Sequence, residues 1–195
     1  MKERPILFNA EMVNAILSGR KTQTRRVIKL PLRDVNMGCE LAGNELAGEV
    51  AAGDYRNCPL GQPGDQLWVR EAFSTGLCTK TTMAYKATHK AEDLEEGWLE
   101  KIKWRPSIHM PRWASRINLL ITGVRVERLN DISQEDAKSE GCCYGRGGGV
   151  PDLAVSPADH FPTLWESIYG IKSWAANPWV WVIEFERVAP AGEQS

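Results

Sequence analysis

The sequence predicts an α+β fold: a small, partly closed mixed β-barrel with short flanking helices and loop insertions. Three observations lead there. Five or six short strand-like runs are spread along the chain, and the clearest lie at 117–129 and 178–188. Short helical periods sit between and beside them. The connections are too irregular for the repeating strand–helix units of a doubly wound sheet, and a small barrel with helices at its ends accommodates them better.

The elements follow in order. Residues 5–21, "PILFNAEMVNAILSGRK", start with an apolar strand-like run. Met12, Val13, Ile16 and Leu17 then recur at helical spacing. Asn9 is placed to cap that helix and Glu11 to complement its dipole, with Gly19 at its end. A turn opens into a strand at "TRRVIKL". Residues 31–62 hold glycines, a Cys58-Pro59 break and little periodicity, which predicts an irregular insertion. "PGDQLWVREAF" (63–73) is a turn and then a strand, with Leu67 and Val69 alternating against Trp68 and Arg70. A strand is predicted over 81–89, a polar helix or loop over 91–104, and a proline-punctuated connector over 105–117.

"INLLITGVRVERL" (117–129) gives the clearest strand signal, rich in branched residues and interrupted by Gly123. In "DISQEDAKSEG" (131–141), Ser133 reads as an N-cap and Gly141 as the residue after the helix. "GRGGGVP" is a loop. A helix over 156–170 is split or entered at Pro162. "PWVWVIEFERV" (178–188) closes the fold, with Val180 and Val182 alternating against Trp179 and Trp181.

At 195 residues the chain fits one domain over 1–190, with insertions near 31–62 and 90–116 and a tail at 191–195. The formal net charge of −1 excludes a global positive field, so any nucleic acid must be bound by a local patch. The five cysteines are odd in number, have no C-x-x-C spacing and follow no signal peptide, which predicts reduced thiols in a cytoplasmic protein. Vicinal Cys142 and Cys143 rarely meet disulfide geometry. Three scattered histidines give no metal-ligand spacing, and neither a metal nor a cofactor is expected. No apolar run approaches the roughly 20 residues of a membrane helix. Nothing in the sequence sets the oligomeric state.

The chemistry-bearing stretch is "GRKTQTRR" (19–26), four cations with two threonines and a glutamine at one turn. Lys21 and Thr24 can converge there, and with a carboxylate such as Glu71 they form a nucleophile–base–orienter set for acyl transfer. A lysine serves as base only if burial or neighbouring cations lower its pKa, and Arg20, Arg25 and Arg26 are the candidate neighbours. The competing reading is a solvated helix end. Trp68 divides between stacking a base and packing; Trp165, Trp179 and Trp181 read as packing. The connector with His109, Arg112, Trp113 and Arg116 interleaves cations with an aromatic, which suits phosphate and base contact. Its alternative is a tight loop pinned by Trp113 in the core. His160 reads as structural.

Taken together, the helix followed by "GRKTQTRR", the "GDQLWVRE" strand, the "EG" after a short helix, "PSIHMPRWASRI" and the closing "WVIEF" resemble the ASCH domain, a PUA-like β-barrel family, in its phage and prophage form. The resemblance covers nearly the whole chain and is loosest at 31–62 and 142–155. It implies similarity to small bacterial amidohydrolases that cleave N4-acetylcytidine to cytidine and acetate. Their Lys-x-x-Thr and strand Glu fall on Lys21, Thr24 and Glu71. Arg20, Arg25, Arg26, Trp68 and Arg70 are then the substrate-binding candidates, and His109, Arg112 and Arg116 the nucleic-acid contacts. The implied partner is a modified nucleoside or RNA. The alternatives are an RNA-binding module without turnover and a ribonuclease. The chain is longer than the small enzymes, and its insertions are placed to reshape the cleft.

Overall fold

A computed structural model describes residues 1–76, 82–90, 102–142 and 156–188. Readings made on the glycine loop, on Cys78 and Cys143, on 91–101 and on the 191–195 tail lie outside the described residues.

The first apolar run forms β1 (Glu3–Leu7). Helix α1 (Ala10–Leu17) follows, its first turn capped by Asn9, which accepts from the Met12 amide. After the turn come β2 (Gln23–Val27), the short pair β3 (Leu32–Arg33) and β4 (Glu40–Leu41), and helix α2 (Gly43–Ala51). Then β5 (Gln66–Arg70), β6 (Phe73–Thr75) and β7 (Met83–Tyr85) lead to the 11-residue β8 (Asn118–Arg128). Helices α3 (Gln134–Ser139) and α4 (Pro157–Tyr169) precede β9 (Trp179–Val188).

Five strands make the main sheet, in the order β1-β5-β8-β9-β2. β1 and β5 run parallel and the other pairs antiparallel. This is a mixed α+β architecture. The sheet does not close among the described residues, because β1 and β2 are end strands with no ladder between them. The Gln66 amide donates to the Lys2 carbonyl and the Phe8 amide to the Arg70 carbonyl, so even-numbered β1 residues face β5. Pro5 therefore lies on the free edge, where its missing N–H leaves no ladder bond unmade.

Two apolar cores flank β9. Trp181, Ile183 and Phe185 join Val13 and Ile16 of α1, Leu46 and Val50 of α2, and Leu67, Val69, Leu119 and Ile121 of the sheet. Val180 and Val182 face the other way, onto Ala137 of α3 and Phe161 and Trp165 of α4. The alternation expected for β9 is therefore not a buried-against-exposed one, because helices cover both faces. The interruption at Gly123 is a bulge in β8, a register shift against β9 between Ile121 and Gly123.

Three local readings change. The 31–62 segment is not irregular throughout: α2 buries Leu46 and Val50, one helical turn apart, in the main core. A Cβ on Gly43 would lie 2.3 Å from the Trp179 ring, so only glycine lets α2 start against that indole. Helix α4 starts at Pro157 and runs unsplit through Pro162. Trp113 does not pin the 105–117 connector, since it is 72% exposed; Met110 and Ala114, each 1% exposed, are the anchors, packed with Phe73.

Candidate functional site

The turn after α1 carries Lys21 into the protein instead of out to solvent. Arg20 and Lys21 amides both donate to the Ala15 carbonyl, closing the helix end. Lys21 then pairs as an isolated β-bridge with Glu140 at the end of α3. Its side chain is 1% exposed, and Nζ donates to Glu140 Oε2 at 2.7 Å and to the Glu140 carbonyl at 2.9 Å. Burial pushes the Lys21 ammonium below its ordinary 10.5; the Glu140 carboxylate opposes this, and Arg26 and Arg25 add to it. Of the two causes anticipated for such a shift, burial is the larger.

Gly141 makes this approach possible. Its φ of +83° suits glycine, and a Cβ there would lie 3.0 Å from the Ala15 Cβ and 3.1 Å from the Lys21 Cβ. Ser133 caps α3 by accepting from the Asp136 amide, which fixes the helix that delivers Glu140.

Arg25 is sequestered instead of presented to a ligand. Its side chain is fully buried, with Nη1 donating to Glu140 Oε1 at 3.2 Å and Nη2 to Glu127 Oε1 at 2.5 Å, and with Asp136 Oδ2 3.2 Å away. Arg125 binds the same Glu127 and Asp136 and reaches Glu184. Burial works against the Asp136 carboxylate, yet Arg125 and Arg25 hold it below the usual carboxylate range. Arg25 thus helps to fix Glu140, and through it Lys21.

Lys21, Thr24, Arg25, Arg26, Glu140 and Gly141 line a cavity of about 80 Å³ walled by α1 and by Phe161, Trp165 and Tyr169 of α4. Thr24 is 1% exposed. Glu71, 2% exposed, lines a different cavity, of about 220 Å³, with Phe8, Asn9 and Lys86; the two cavities share Asn9. The Phe8 ring bounds the second cavity and lies 5.8 Å from Lys21 Nζ. Both Glu71 oxygens accept from Arg116, at 2.8 and 3.0 Å, and Arg116 stacks 3.9 Å from the Tyr85 ring centre.

The remaining candidates divide. Arg20 is exposed, hydrogen-bonds Ser18 Oγ and lines none of these cavities. Trp68 lies on the outer side of β5 between Arg70 and Arg112, 5.4 and 5.8 Å from their guanidinium carbons. Arg112 is tied to Glu3 at 2.9 and 3.1 Å, so neither it nor Arg116 offers an uncompensated charge to a phosphate. His109 is exposed. Cys142 Sγ lies 3.4 Å from His160 Nδ1, joining the end of α3 to α4. Cys39, Cys58 and Cys142 form no disulfide. No described helix is long and apolar enough to cross a membrane.

A third and larger cleft, of about 610 Å³, lies between the free edges of β1 and β2. Arg26 lines both it and the Lys21 cavity, and Arg70 lies on its wall. Arg26 Nη2 donates to the Leu7 carbonyl at 2.7 Å across the gap, and its guanidinium lies 5.2 Å from the Phe8 ring centre.

Glu140 is the site residue that the motif reading did not assign. The "EG" pair was visible in the sequence, but its carboxylate meets Lys21 only through a contact 119 residues long.

No protein-family model matches this chain, and no curated protein matches it. Two solved structures resemble it. A structure described as the ASCH domain from Lactobacillus crispatus JV V101 has 13% identity and a TM-score of 0.41, over 95% of this chain and 79% of that one. Hypothetical protein PH0355 has 13% identity and a TM-score of 0.39, over 96% of this chain and all of that one. At that distance neither likeness bears on what this chain does.

Proposed function

We propose that the protein is an amide hydrolase that removes the acyl group from an N-acylated cytidine, with N4-acetylcytidine the type substrate. The observation that carries this reading is that Lys21 and Thr24 line one small cavity, with the lysine's pKa lowered by burial and its amino group held by Glu140. The cavity, of about 80 Å³, has room for an acetyl-sized group.

In this mechanism the Thr24 hydroxyl adds to the acyl carbon while neutral Lys21 takes its proton. The C–N bond then breaks, and Lys21 returns the proton to the departing amine, as the base of a nucleophile–base pair does. Water then adds to the ester carbon while Lys21 takes its proton, the C–O bond to Thr24 breaks, and Lys21 returns the proton to the Thr24 oxygen as the free acid leaves. Glu140 is a positioning residue: it orients Lys21 and moderates its pKa. The family resemblance gives Glu71 a place in the same set, but Glu71 is held by Arg116 behind Phe8 and Asn9. We therefore assign Glu71 to supporting that wall. The same reading takes the open sheet, with β1 and β2 flanking a cleft, as a parted form of the small PUA-like barrel.

The test is acetate release from N4-acetylcytidine by the wild-type chain, with Lys21→Met as control. Release that Lys21→Met lacks is expected; equal release by both proteins would overturn the assignment.

A further inference from the structure

Resting on that reading, we propose that the substrate carries a phosphate and that the β1–β2 cleft holds it: the acylated base belongs to a nucleotide, not to a free nucleoside. The two cavities follow one another along β2. Thr24, Arg25 and Arg26 line the small one, and Arg26, Val27, Ile28 and Lys29 line the large one. With the acyl group in the small cavity beside Lys21 and Thr24, the rest of the substrate needs adjoining space. The cleft's 610 Å³ falls inside the roughly 300–1,000 Å³ of ligand clefts.

Charge then selects the ligand. Arg26, Lys29 and Arg70 line the cleft and, among the described residues, no Asp or Glu does, on a chain whose net charge is −1. Six cations outside the cleft, Arg4, Lys21, Arg25, Arg112, Arg116 and Arg125, pair with carboxylates. In the cleft, Arg26 donates to the Leu7 carbonyl, and Arg70 to the Met110 and Ile108 carbonyls. Lys29 is exposed and makes no ion pair among the described residues. Neutral acceptors fix these guanidinium groups in place while leaving their charge uncompensated, which suits a phosphate. The floor is apolar, from Ile6, Ile28, Leu60 and Trp181, and accepts the faces of a base and sugar. A monophosphate and a phosphodiester in a single strand share this chemistry.

The experiment compares kcat/KM for N4-acetylcytidine, its 5′-monophosphate and a short oligonucleotide containing it, for the wild type and for Lys29→Gln. Binding of cytidine and cytidine 5′-monophosphate is measured alongside by calorimetry. The expected result is an advantage of about tenfold or more for the phosphorylated substrates, the size of one charge-assisted hydrogen bond. It should shrink with salt and largely disappear in Lys29→Gln. Whichever phosphorylated form is preferred identifies the source of the phosphate. Equal kcat/KM for nucleoside and nucleotide, with no effect of salt, overturns the cleft assignment and leaves the hydrolase intact. Tight, Lys29-dependent binding of the monophosphate without hydrolysis of any substrate supports the cleft and overturns the hydrolase. Failure to bind or hydrolyse any of them overturns both.

Discussion

Lys21 and Glu140 are joined by two hydrogen bonds from one ammonium group, 2.7 Å to the carboxylate and 2.9 Å to the backbone carbonyl, with side chains only 1% and 6% exposed. The pair ties the turn after α1 to the end of α3. The lysine is thus a buried structural element as well as a candidate base, and removing it leaves a buried carboxylate short of one partner.

Lys21→Met should therefore cost stability, by about 3 kcal/mol. This is the lower end for a broken buried pair, because Arg25 still binds the other Glu140 oxygen. A domain stabilised by about 5–15 kcal/mol remains folded after that loss. Urea unfolding of Lys21→Met and of Lys21→Met/Glu140→Gln measures it, and the double variant should recover part of the loss. A cost under about 1 kcal/mol would show that the pair is weaker than its burial implies.

The lowered pKa of Lys21 sets a pH signature. Between the depressed folded value and the ordinary 10.5, the unfolded chain holds a proton that the folded chain has released. Stability gained from Lys21 therefore rises with pH across that window and is smallest below it. Wild type and Lys21→Met should diverge there in urea midpoint, with only the wild type gaining. Hydrolysis should follow the same group, rising with pH until Lys21 is neutral. A parallel pH dependence in the two proteins contradicts this. On the acid side the sign is the same in a second, lower window: Asp136, held below the usual carboxylate range, contributes stability that is lost as pH falls through its folded pKa.

Gly43→Ala should destabilise the fold by about 1–3 kcal/mol through overpacking, since the new Cβ meets the Trp179 ring at 2.3 Å. Tryptophan emission during chemical unfolding reports both the loss and the displaced indole. An unchanged midpoint would mean that α2 moves aside at no cost.

Elements marked by local chemistry were legible in the sequence. Asn9 and Ser133 announced α1 and α3, Gly141 marked the end of α3, and branched residues marked β8. Helix α2 was hidden because Gly43 and Gly48 dilute its period, and Gly43 answers to Trp179, far away in sequence. The Lys21–Thr24 pair was legible as a motif, but the burial of Lys21 was not, because it depends on Glu140. Arg25 looked like a ligand contact for the same reason: its partners Glu127, Asp136 and Glu140 are distant in sequence. The uncompensated charge of the β1–β2 cleft appears only once Arg26 and Arg70 are matched to their carbonyl acceptors, which lie far away in sequence.

Glu71→Gln separates the motif-based role from the geometric one. Weakening the bidentate bond to Arg116 should cost about 1–3 kcal/mol of stability. Acyl hydrolysis should fall by less than about tenfold, below the range for losing an acid–base group. Activity as low as that of Lys21→Met would put Glu71 at the reacting atoms and return the leaving-group proton to it.

The most direct test of the central claim is the rate of acetate release from N4-acetylcytidine by the wild type and by Thr24→Val, which keeps the shape of the side chain and removes its hydroxyl. Both proteins are first shown to unfold at similar urea concentrations. The account predicts steady release by the wild type and a loss of at least about 10³-fold in Thr24→Val, since the nucleophile itself is gone. Release by Thr24→Val within a few-fold of wild type would contradict acyl transfer at the Lys21–Thr24 cavity.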